Sequence, residues 1–285
     1  LIQPYSARTL DVFRQLARFP KLDAAIPKVE RTISTATGER TVKTPLWHMN
    51  RHWDENKAQK DGTIRRSTAF RVADEMILQG PLFHVGNPLY KTPKAVSRTN
   101  ADYAVIDLAI VPEDYLPRTN YCPAVEMTEY RRRMTPCRWD STKSHADFYR
   151  VAFRRMVAIH GERSLIGCLL PPGAAHVNTV ESISFADENH VLDLHAFVVS
   201  LVADFLTKAA GRGDIFESTA AGWPWVGAGS TARHRSLRLG CLTSSYAELW
   251  NRHSPELEAL PWSSSDPRLR VEGPVEGPII WDRTA

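Results

Sequence analysis

Three consecutive pieces of the sequence decide the fold: YRVAFRRM (149–156), ERSLIGCLLPPGAAHVNTVESISF (162–185) and DENHVLDLHAFVVSLVADFLTKAAGRG (187–213). The first piece alternates apolar residues with Arg150 and Arg154, which predicts a strand that carries both arginines on one face. In the second piece, the runs Ser164–Leu170 and Val177–Phe185 predict two more strands, separated by a Pro-Pro-Gly turn. Two strands are also predicted elsewhere, over Tyr103–Val111 and Ile215–Trp225.

The third piece changes from strand to helix periodicity. Its apolar residues cover most sides of a helix predicted over Val191–Ala210, which Gly211 ends, so this helix should be buried. Amphipathic spacing predicts peripheral helices over Ser6–Phe19 and Leu239–Arg252, and a hairpin is predicted over Val29–Val42. The predicted fold class is therefore α+β, with small, mixed, mostly antiparallel sheets packed on a buried helix.

Composition limits the class of protein. The 285 residues are 43% hydrophobic and 24% charged, as in ordinary globular proteins. Neither an apolar run long enough to cross a bilayer nor an N-terminal leader is seen, so we expect no membrane partner. The four cysteines form no C-x-x-C pair, which favours reduced thiols in the cytoplasm over a disulfide or zinc scaffold.

The chain begins without Met, and we expect it to be a piece of a longer protein. We predict a connecting segment at 1–76, a main domain at 77–262 and an extended arm at 263–285, where Ser, Pro and Gly are frequent.

Positive charge is clustered, although the net charge is only +4. The basic residues that crowd one stretch containing few acids are Arg131, Arg132, Arg133, Arg138, Lys143, Arg150, Arg154, Arg155 and Arg163. Such a field suits a polyanion, for example nucleic acid. A solvated charged face explains the same pattern equally well.

The segment LWHMNRHWDENKAQKDG (46–62) places His48 and His52 four residues apart, the spacing of a metal pair on a helix. Met49 stands where a zinc-protease motif requires glutamate, and no third ligand is evident. An independent metal-dependent hydrolase that uses these histidines with Asp54 or Glu55 remains one alternative. We assign no catalytic and no metal-binding residues.

The segment ILQGPLFHVGNPLYKTP (77–93) contains an Asn-Pro-Leu-Tyr tetrapeptide at 87–90. Amino-group DNA methyltransferases grip an extruded adenine with Asn-Pro-Pro-aromatic. Leu89 replaces the second proline here, and a stiff structural loop is the alternative. Lys91, Lys94 and Arg98 follow the tetrapeptide and are candidate phosphate contacts.

The segments QGPLFHVGNPLYKTP (79–93), DYLPRTNY (114–121), FYRVAFRRMVAIHGERSLIGCLLPPGAAHVNTVESISF (148–185), LHAFVVSLVADFLTKAAG (194–211) and CLTSSYAELW (241–250) resemble the post-catalytic half of large adenine-specific DNA methyltransferases. These are restriction–modification-type enzymes and their relatives in phage defence. The resemblance covers most of Ile77–Trp250. It implies a target-recognition region that binds double-stranded DNA. It also implies a separate N-terminal methyltransferase domain that binds S-adenosylmethionine, so this chain alone should need no cofactor and be inactive.

Recognition requires phosphate contacts for register and a few side chains at base edges for sequence. The predicted DNA-binding residues are Arg131, Arg132, Arg133, Lys143, Arg150, Arg154, Arg155, Asn178, Lys91, Lys94 and Arg98. Asn178 and His176 are the candidate base readers, with a local hydrogen-bonding role as the alternative. A protein-interaction module, anchored by the tryptophans, is the other competing function.

Overall fold

The computed structural model describes residues 6–36, 38–67, 72–158 and 160–254. Nine α-helices lie in these residues: Ala7–Leu16 (α1), Leu22–Ala25 (α2), Glu55–Lys60 (α3), Met127–Arg132 (α4), Asn189–Val198 (α5), Leu201–Ala210 (α6), Glu217–Ala221 (α7), Ser230–Gly240 (α8) and Ala247–His253 (α9). The same residues contain twelve strands: Lys28–Thr35 (β1), Gly38–Pro45 (β2), Trp47–Asn50 (β3), Ile64–Arg66 (β4), Ile77–Leu78 (β5), Lys91–Pro93 (β6), Tyr103–Val105 (β7), Tyr121–Pro123 (β8), Arg150–Arg154 (β9), Gly167–Leu170 (β10), Ala175–His176 (β11) and Val180–Phe185 (β12). The fold is α+β, as predicted.

The central sheet has four antiparallel strands in the order β10-β9-β12-β3. Alternation along β9 and β12 places Val151, Phe153, Ile183 and Phe185 in one apolar core. All four side chains are at most 1% exposed. Complete burial of a side chain of this size contributes roughly 1.5–3 kcal/mol, so this face is the main source of stability.

A second sheet, in the order β11-β5-β8-β4, covers the opposite face of β9 and β12. Ala152 of β9 and Val180 of β12 pack there against Leu78 of β5 in a separate cluster. β11 and β5 are parallel, whereas β5, β8 and β4 are antiparallel. The face that carries Arg150 and Arg154 is therefore mostly interior, and solvent reaches it only near the end of β9.

Helix α5 lies on the first face of the central sheet, with Val191, Leu192, Leu194 and Val198 buried. A Cβ added to Gly167 of β10 would overlap Cγ1 of Val198. The absence of a side chain at this glycine therefore allows the helix and the strand to approach closely.

The single helix predicted over Val191–Ala210 is in fact two helices, α5 and α6, bent by 66°. Ser200 begins α6 because its Oγ accepts a hydrogen bond from Ala203 N at 3.1 Å. Gly211 ends α6 with a left-handed φ of 62°, as predicted. After the bend, Leu201 is 73% exposed, so burial is confined mainly to α5.

Other predictions need correction. The boundary at residue 76 divides both sheets, since β3 and β4 precede it and pair with β12 and β8. Only Tyr103–Val105 of the predicted strand Tyr103–Val111 is a strand, and the predicted strand Ile215–Trp225 contains helix α7.

The helix near Ser6–Phe19 and the hairpin near Val29–Val42 are confirmed by α1 and by β1-β2. The arm predicted at 263–285 lies outside the described residues.

Among the described helices, none is by itself long and apolar enough to cross a membrane, and the pair α5 and α6 meets that test only together, across its bend.

Candidate nucleic-acid interface

A cleft of about 610 Å³ opens where the second sheet, the β6-β7 hairpin and the end of β9 meet. Four cations line this basic cleft and are called the cleft cations below: Arg66, Lys91, Arg98 and Arg154. Glu55 is the single carboxylate among the described residues that line it. The cleft therefore carries an excess of positive charge, which suits an anionic ligand.

The rim of the cleft is held in place by local hydrogen bonds. Arg66 Nη2 donates to the carbonyl of Ser97 at 3.1 Å, which joins the end of β4 to the loop before β7. Asp102 Oδ2 accepts from the backbone N–H groups of Arg98 and Thr99 at 2.9 and 2.8 Å. This capping box fixes the loop that presents Arg98.

Within the described ranges, none of the cleft cations forms an ion pair with a carboxylate. Arg154 donates instead to the carbonyls of Gly80 and Phe83, which are neutral. Lys91 lies over the ring of Tyr90, 5.5 Å from its centre. Burial lowers the pKa of Arg154, but a guanidinium remains protonated at neutral pH. The positive charge is therefore available to a ligand.

The inner wall of the cleft contains three hydrogen-bonded side chains, Gln79, Tyr103 and Asn120, which we call the polar floor. Asn120 Nδ2 donates to Gln79 Oε1 at 2.8 Å and to Tyr103 Oη at 2.6 Å, and Tyr103 donates to Gln79 Oε1 at 3.3 Å. Burial raises the pKa of Tyr103, which keeps its phenol neutral. Gln79 follows β5 and Asn120 precedes β8, so paired strands hold the two amides together.

The arginines at the end of α4 differ from the cleft cations because they form ion pairs with carboxylates. Arg131 pairs with Asp74. Glu129 accepts from Arg132 and Arg133, each at 2.7 Å, and these hydrogen bonds lower the pKa of Glu129 to about 2. Together with Arg155, which pairs with Asp214 at 3.4 Å, we call Arg131, Arg132 and Arg133 the paired arginines. Phosphates would have to displace these carboxylates, so DNA binding by this set stays a prediction.

Arg150 was predicted to bind DNA from the face of β9 that it shares with Arg154, but it does not reach solvent there, because it is 0% exposed. It donates to the carbonyls of Phe148, Pro171 and Ala174 and to His52 Nε2 at 3.2 Å. The alternation that identified its face was correct. The second sheet covers that face, which alternation in one strand cannot reveal.

The remaining predicted DNA-binding residues occupy different places. Lys91 and Arg98 line the basic cleft, and Lys94 is exposed beside them. Lys143 is exposed on another loop, 5.6 Å from the centre of the Phe148 ring. Asn178 is half-buried, and its Nδ2 donates to Asp54 at 3.4 Å, which agrees with the local hydrogen-bonding alternative.

Histidines and serines form a polar layer around Arg150. His48 lies on β3 and His52 follows that strand, so the two do not share a helix as a metal pair would. His48 Nδ1 hydrogen-bonds His145 Nε2 at 2.7 Å, and His176, which is buried, hydrogen-bonds Ser182 at 2.8 Å. Among the described residues, no group of three or more His, Cys, Asp or Glu side chains has the arrangement of a metal site.

Burial keeps this layer neutral. It lowers the pKa of His48 to about 4, of His145 to about 2 and of His176 to about 3. Arg150 is the fixed positive charge of the layer, and it too lowers the pKa values of His145 and His176. These imidazoles act as hydrogen-bonding partners in the interior, so the structure favours a structural role for the layer.

Sequence reasoning missed Arg66 and all of the polar floor. Arg66 is one member of an Arg-Arg pair at the end of a three-residue strand, too short for a periodic pattern. Gln79 and Asn120 both fall in segments that carry the family resemblance, QGPLFHVGNPLYKTP and DYLPRTNY. Their position within those segments was the one signal available, but 41 residues separate them and only the fold shows that they meet.

The sequence matches no model of a known protein family and no curated protein.

Proposed function

We propose that this chain is the DNA target-recognition region of a site-specific N6-adenine DNA methyltransferase from a restriction–modification or phage-defence system. In this proposal the basic cleft binds double-stranded DNA and positions it for a catalytic domain outside the chain. The single observation that carries the proposal is the convergence on one cleft of four cations that form no ion pair with any carboxylate of the described residues.

Charge and shape both support a nucleic-acid ligand. Phosphate binding requires cations that are not already neutralised, and the cleft cations come from four separate segments of the chain. The polar floor supplies the neutral donors and acceptors that base recognition requires in addition. The two aromatic residues of the wall, Tyr103 and Tyr121, provide apolar surface beside them.

The resemblance assigns the chemistry to the rest of the parent enzyme. S-adenosylmethionine and methyl transfer belong to an N-terminal methyltransferase domain of the same polypeptide, which is the expected protein partner. We therefore expect this chain alone to be catalytically inactive. The proposed location is the cytoplasm, where DNA is accessible in bacteria and thiols stay reduced, in agreement with the four free cysteines.

The direct test is duplex binding by fluorescence anisotropy across a range of salt concentrations. If the four cleft cations contact phosphates, the logarithm of the affinity falls with the logarithm of salt concentration with a slope of about −3 to −4. The double variant Lys91→Glu/Arg98→Glu should abolish binding, because it reverses two of those charges. Binding that does not change with salt concentration would overturn the proposal.

The matched control is Arg131→Glu/Arg132→Glu, which makes the same change of charge on α4. If the basic cleft is the interface, this control retains more affinity than Lys91→Glu/Arg98→Glu. Equal loss in both double variants would indicate nonspecific attraction by net charge instead.

A second candidate function, a protein-interaction module, is favoured by one other observation. An apolar groove of about 370 Å³ lies between α1, α5 and α6 and is lined by Val12, Phe19 and Val202, which are 37%, 39% and 41% exposed. Val202→Asp should abolish binding of the parent's catalytic domain, measured by calorimetry, if this groove is the interface.

A further inference from the structure

We propose that the polar floor is the part of the basic cleft that reads a base, and that the base it selects is adenine, through its major-groove edge in duplex DNA. This inference rests on the proposed function and assigns sequence selectivity to Gln79 and Asn120. The cleft cations then supply affinity and register, which are independent of sequence.

The hydrogen-bonding groups left over on the polar floor define the ligand. Gln79 Oε1 accepts from both neighbours, and Asn120 Nδ2 donates to both. The side-chain hydrogen bonds that join the floor in the described part of the chain use Gln79 Oε1, Tyr103 Oη and Asn120 Nδ2, and none of them uses Gln79 Nε2 or Asn120 Oδ1. The floor therefore offers one donor and one acceptor. Adenine presents the complementary pair in the major groove, the N7 acceptor and the N6 amino donor.

The polar floor is also rigid enough to discriminate. Asn120 is 7% exposed, and Tyr103 Oη fixes its amide nitrogen from one side while Gln79 fixes it from the other. These bonds couple the two amides, so that in either orientation of the pair one amide presents its NH2 group and the other its oxygen. A preorganised polar group rejects the wrong partner more strongly than a mobile one.

The cleft contains both kinds of contact that a specific complex needs. Arg66 and Arg98 are exposed at its rim, whereas Gln79 and Asn120 lie in its wall. Loss of a floor residue should therefore change which sequences bind, and loss of a rim residue should weaken binding to all sequences.

The variant Gln79→Glu separates the two roles. A carboxylate oxygen can still accept from Asn120 and Tyr103, so the internal hydrogen bonds of the floor are kept. The other oxygen replaces the outward Nε2 donor by an acceptor. Adenine N7 then has no donor, while cytosine N4, which donates, gains a partner.

The experiment is selection of duplexes from a randomised library by the 285-residue chain, followed by sequencing of the bound fraction. Wild type should enrich sequences with adenine at one position, by roughly 5- to 150-fold over the other bases. Gln79→Glu should lose that preference, shift it toward cytosine and keep the salt slope. The control Gln15→Glu adds the same charge on α1, outside the cleft, and should leave the selected sequence unchanged.

Failure of this inference can be distinguished from failure of the proposed function. Salt-dependent binding with an identical selected sequence in wild type and Gln79→Glu would overturn base reading by the floor but retain DNA binding. No duplex binding by wild type would overturn both. Thermal unfolding of Gln79→Glu near the wild-type midpoint confirms that its selection reports on a folded protein.

A free nucleotide carries the same adenine edge, so adenosine monophosphate is included as a competitor. No displacement of the duplex at millimolar nucleotide supports the duplex as the ligand. If the nucleotide displaces the duplex from wild type and fails to bind Gln79→Glu, the floor is a nucleotide site and the duplex proposal is wrong.

Discussion

The cleft cations and the paired arginines are both exposed or half-buried basic residues, yet they differ in what surrounds them. Carboxylates lie 2.7 Å from Arg132 and Arg133, and 3.4 Å from Arg155, whereas Arg154 meets only backbone carbonyls among the described residues. Three of the four paired arginines are consecutive in sequence, and the cleft cations come together only through folding. Clustering along the chain therefore indicates where cations are frequent, and pairing decides which of them can bind an anion.

The largest expected effect concerns a third kind of arginine, the buried Arg150. Replacing it in Arg150→Met leaves the carbonyls of Phe148, Pro171 and Ala174 without this donor inside the protein. We expect the free energy of unfolding to fall by about 3 kcal/mol or more, since each buried unsatisfied group costs about 1–3 kcal/mol. Urea denaturation followed by tryptophan fluorescence measures the change.

Arg132→Met is the control, because the Arg132 side chain is 75% exposed in its ion pair. Its removal therefore leaves no buried polar group without a hydrogen bond among the described residues. Its unfolding curve should coincide with that of wild type. A stable Arg150→Met that has lost only DNA affinity would show that Arg150 belongs with the cleft cations after all.

The second expected effect is acid sensitivity of the buried histidines. Burial lowers the pKa of His145 to about 2 and of His176 and His195 to about 3. The unfolded chain takes up these protons below about pH 6.5 and the folded chain does not, so stability falls as pH falls. Each of these histidines should lower the free energy of unfolding by on the order of 2 kcal/mol when the pH falls from 7 to 5. Glu181, whose pKa burial raises to about 7, opposes this trend in the same interval.

Denaturation midpoints measured at several pH values test this expectation, with two variants as comparison. His195→Asn should reduce the loss of stability per pH unit, because it removes one buried imidazole that hydrogen-bonds Ser236 at 2.6 Å. Gln15→Asn, at an exposed position, should leave the pH profile unchanged, because neither side chain titrates. A flat profile in wild type would show that these histidines are protonated in the folded state.

The strands of the central sheet were predictable because alternation is a local property. The runs that contain Val151, Phe153, Ile183 and Phe185 were predicted to be strands from spacing alone, and all four residues lie in the main core. The break at Ser200 was not predictable from the same data, since the apolar spacing continues through it. A hydroxyl that caps a new helix looks in sequence like a polar residue on one helix face.

The candidate site depended on contacts that no local pattern encodes. Lys91, Arg98 and Arg154 were named from sequence, but together with residues such as Arg150 that face elsewhere. Which arginines lie in a cleft depends on the second sheet, whose strands β5 and β11 are two residues long. These two strands pair with each other although more than 90 residues separate them in the sequence. Two residues are also too few to show a periodicity.

The third prediction compares the two sets of cations directly. Arg98→Ala should reduce the magnitude of the salt slope of duplex binding by about one, because one phosphate contact is lost. Arg132→Ala should leave the slope unchanged, since that guanidinium is already engaged in an ion pair with Glu129. Anisotropy titrations at four salt concentrations give both slopes. Equal changes in the two variants would remove the distinction between the two sets.

The smallest expected effect concerns the ion pair between Arg155 and Asp214. Arg155 follows Arg154 in the sequence, but the two arginines form different contacts. Asp214 lies 3.4 Å from its Nε, and the two side chains are 24% and 37% exposed. A double-mutant cycle of Arg155→Ala and Asp214→Ala should give a coupling energy of about 0–1 kcal/mol, as for partly exposed ion pairs.

The single variant Asp214→Ala also tests whether Arg155 can bind DNA, because it frees the guanidinium while Arg155 stays at the end of β9. If duplex affinity then rises while Asp11→Ala, which frees Arg14 on α1, changes nothing, Arg155 lies close enough to DNA to join the cleft cations once unpaired. If affinity is the same in both variants, position as well as pairing excludes Arg155 from the interface.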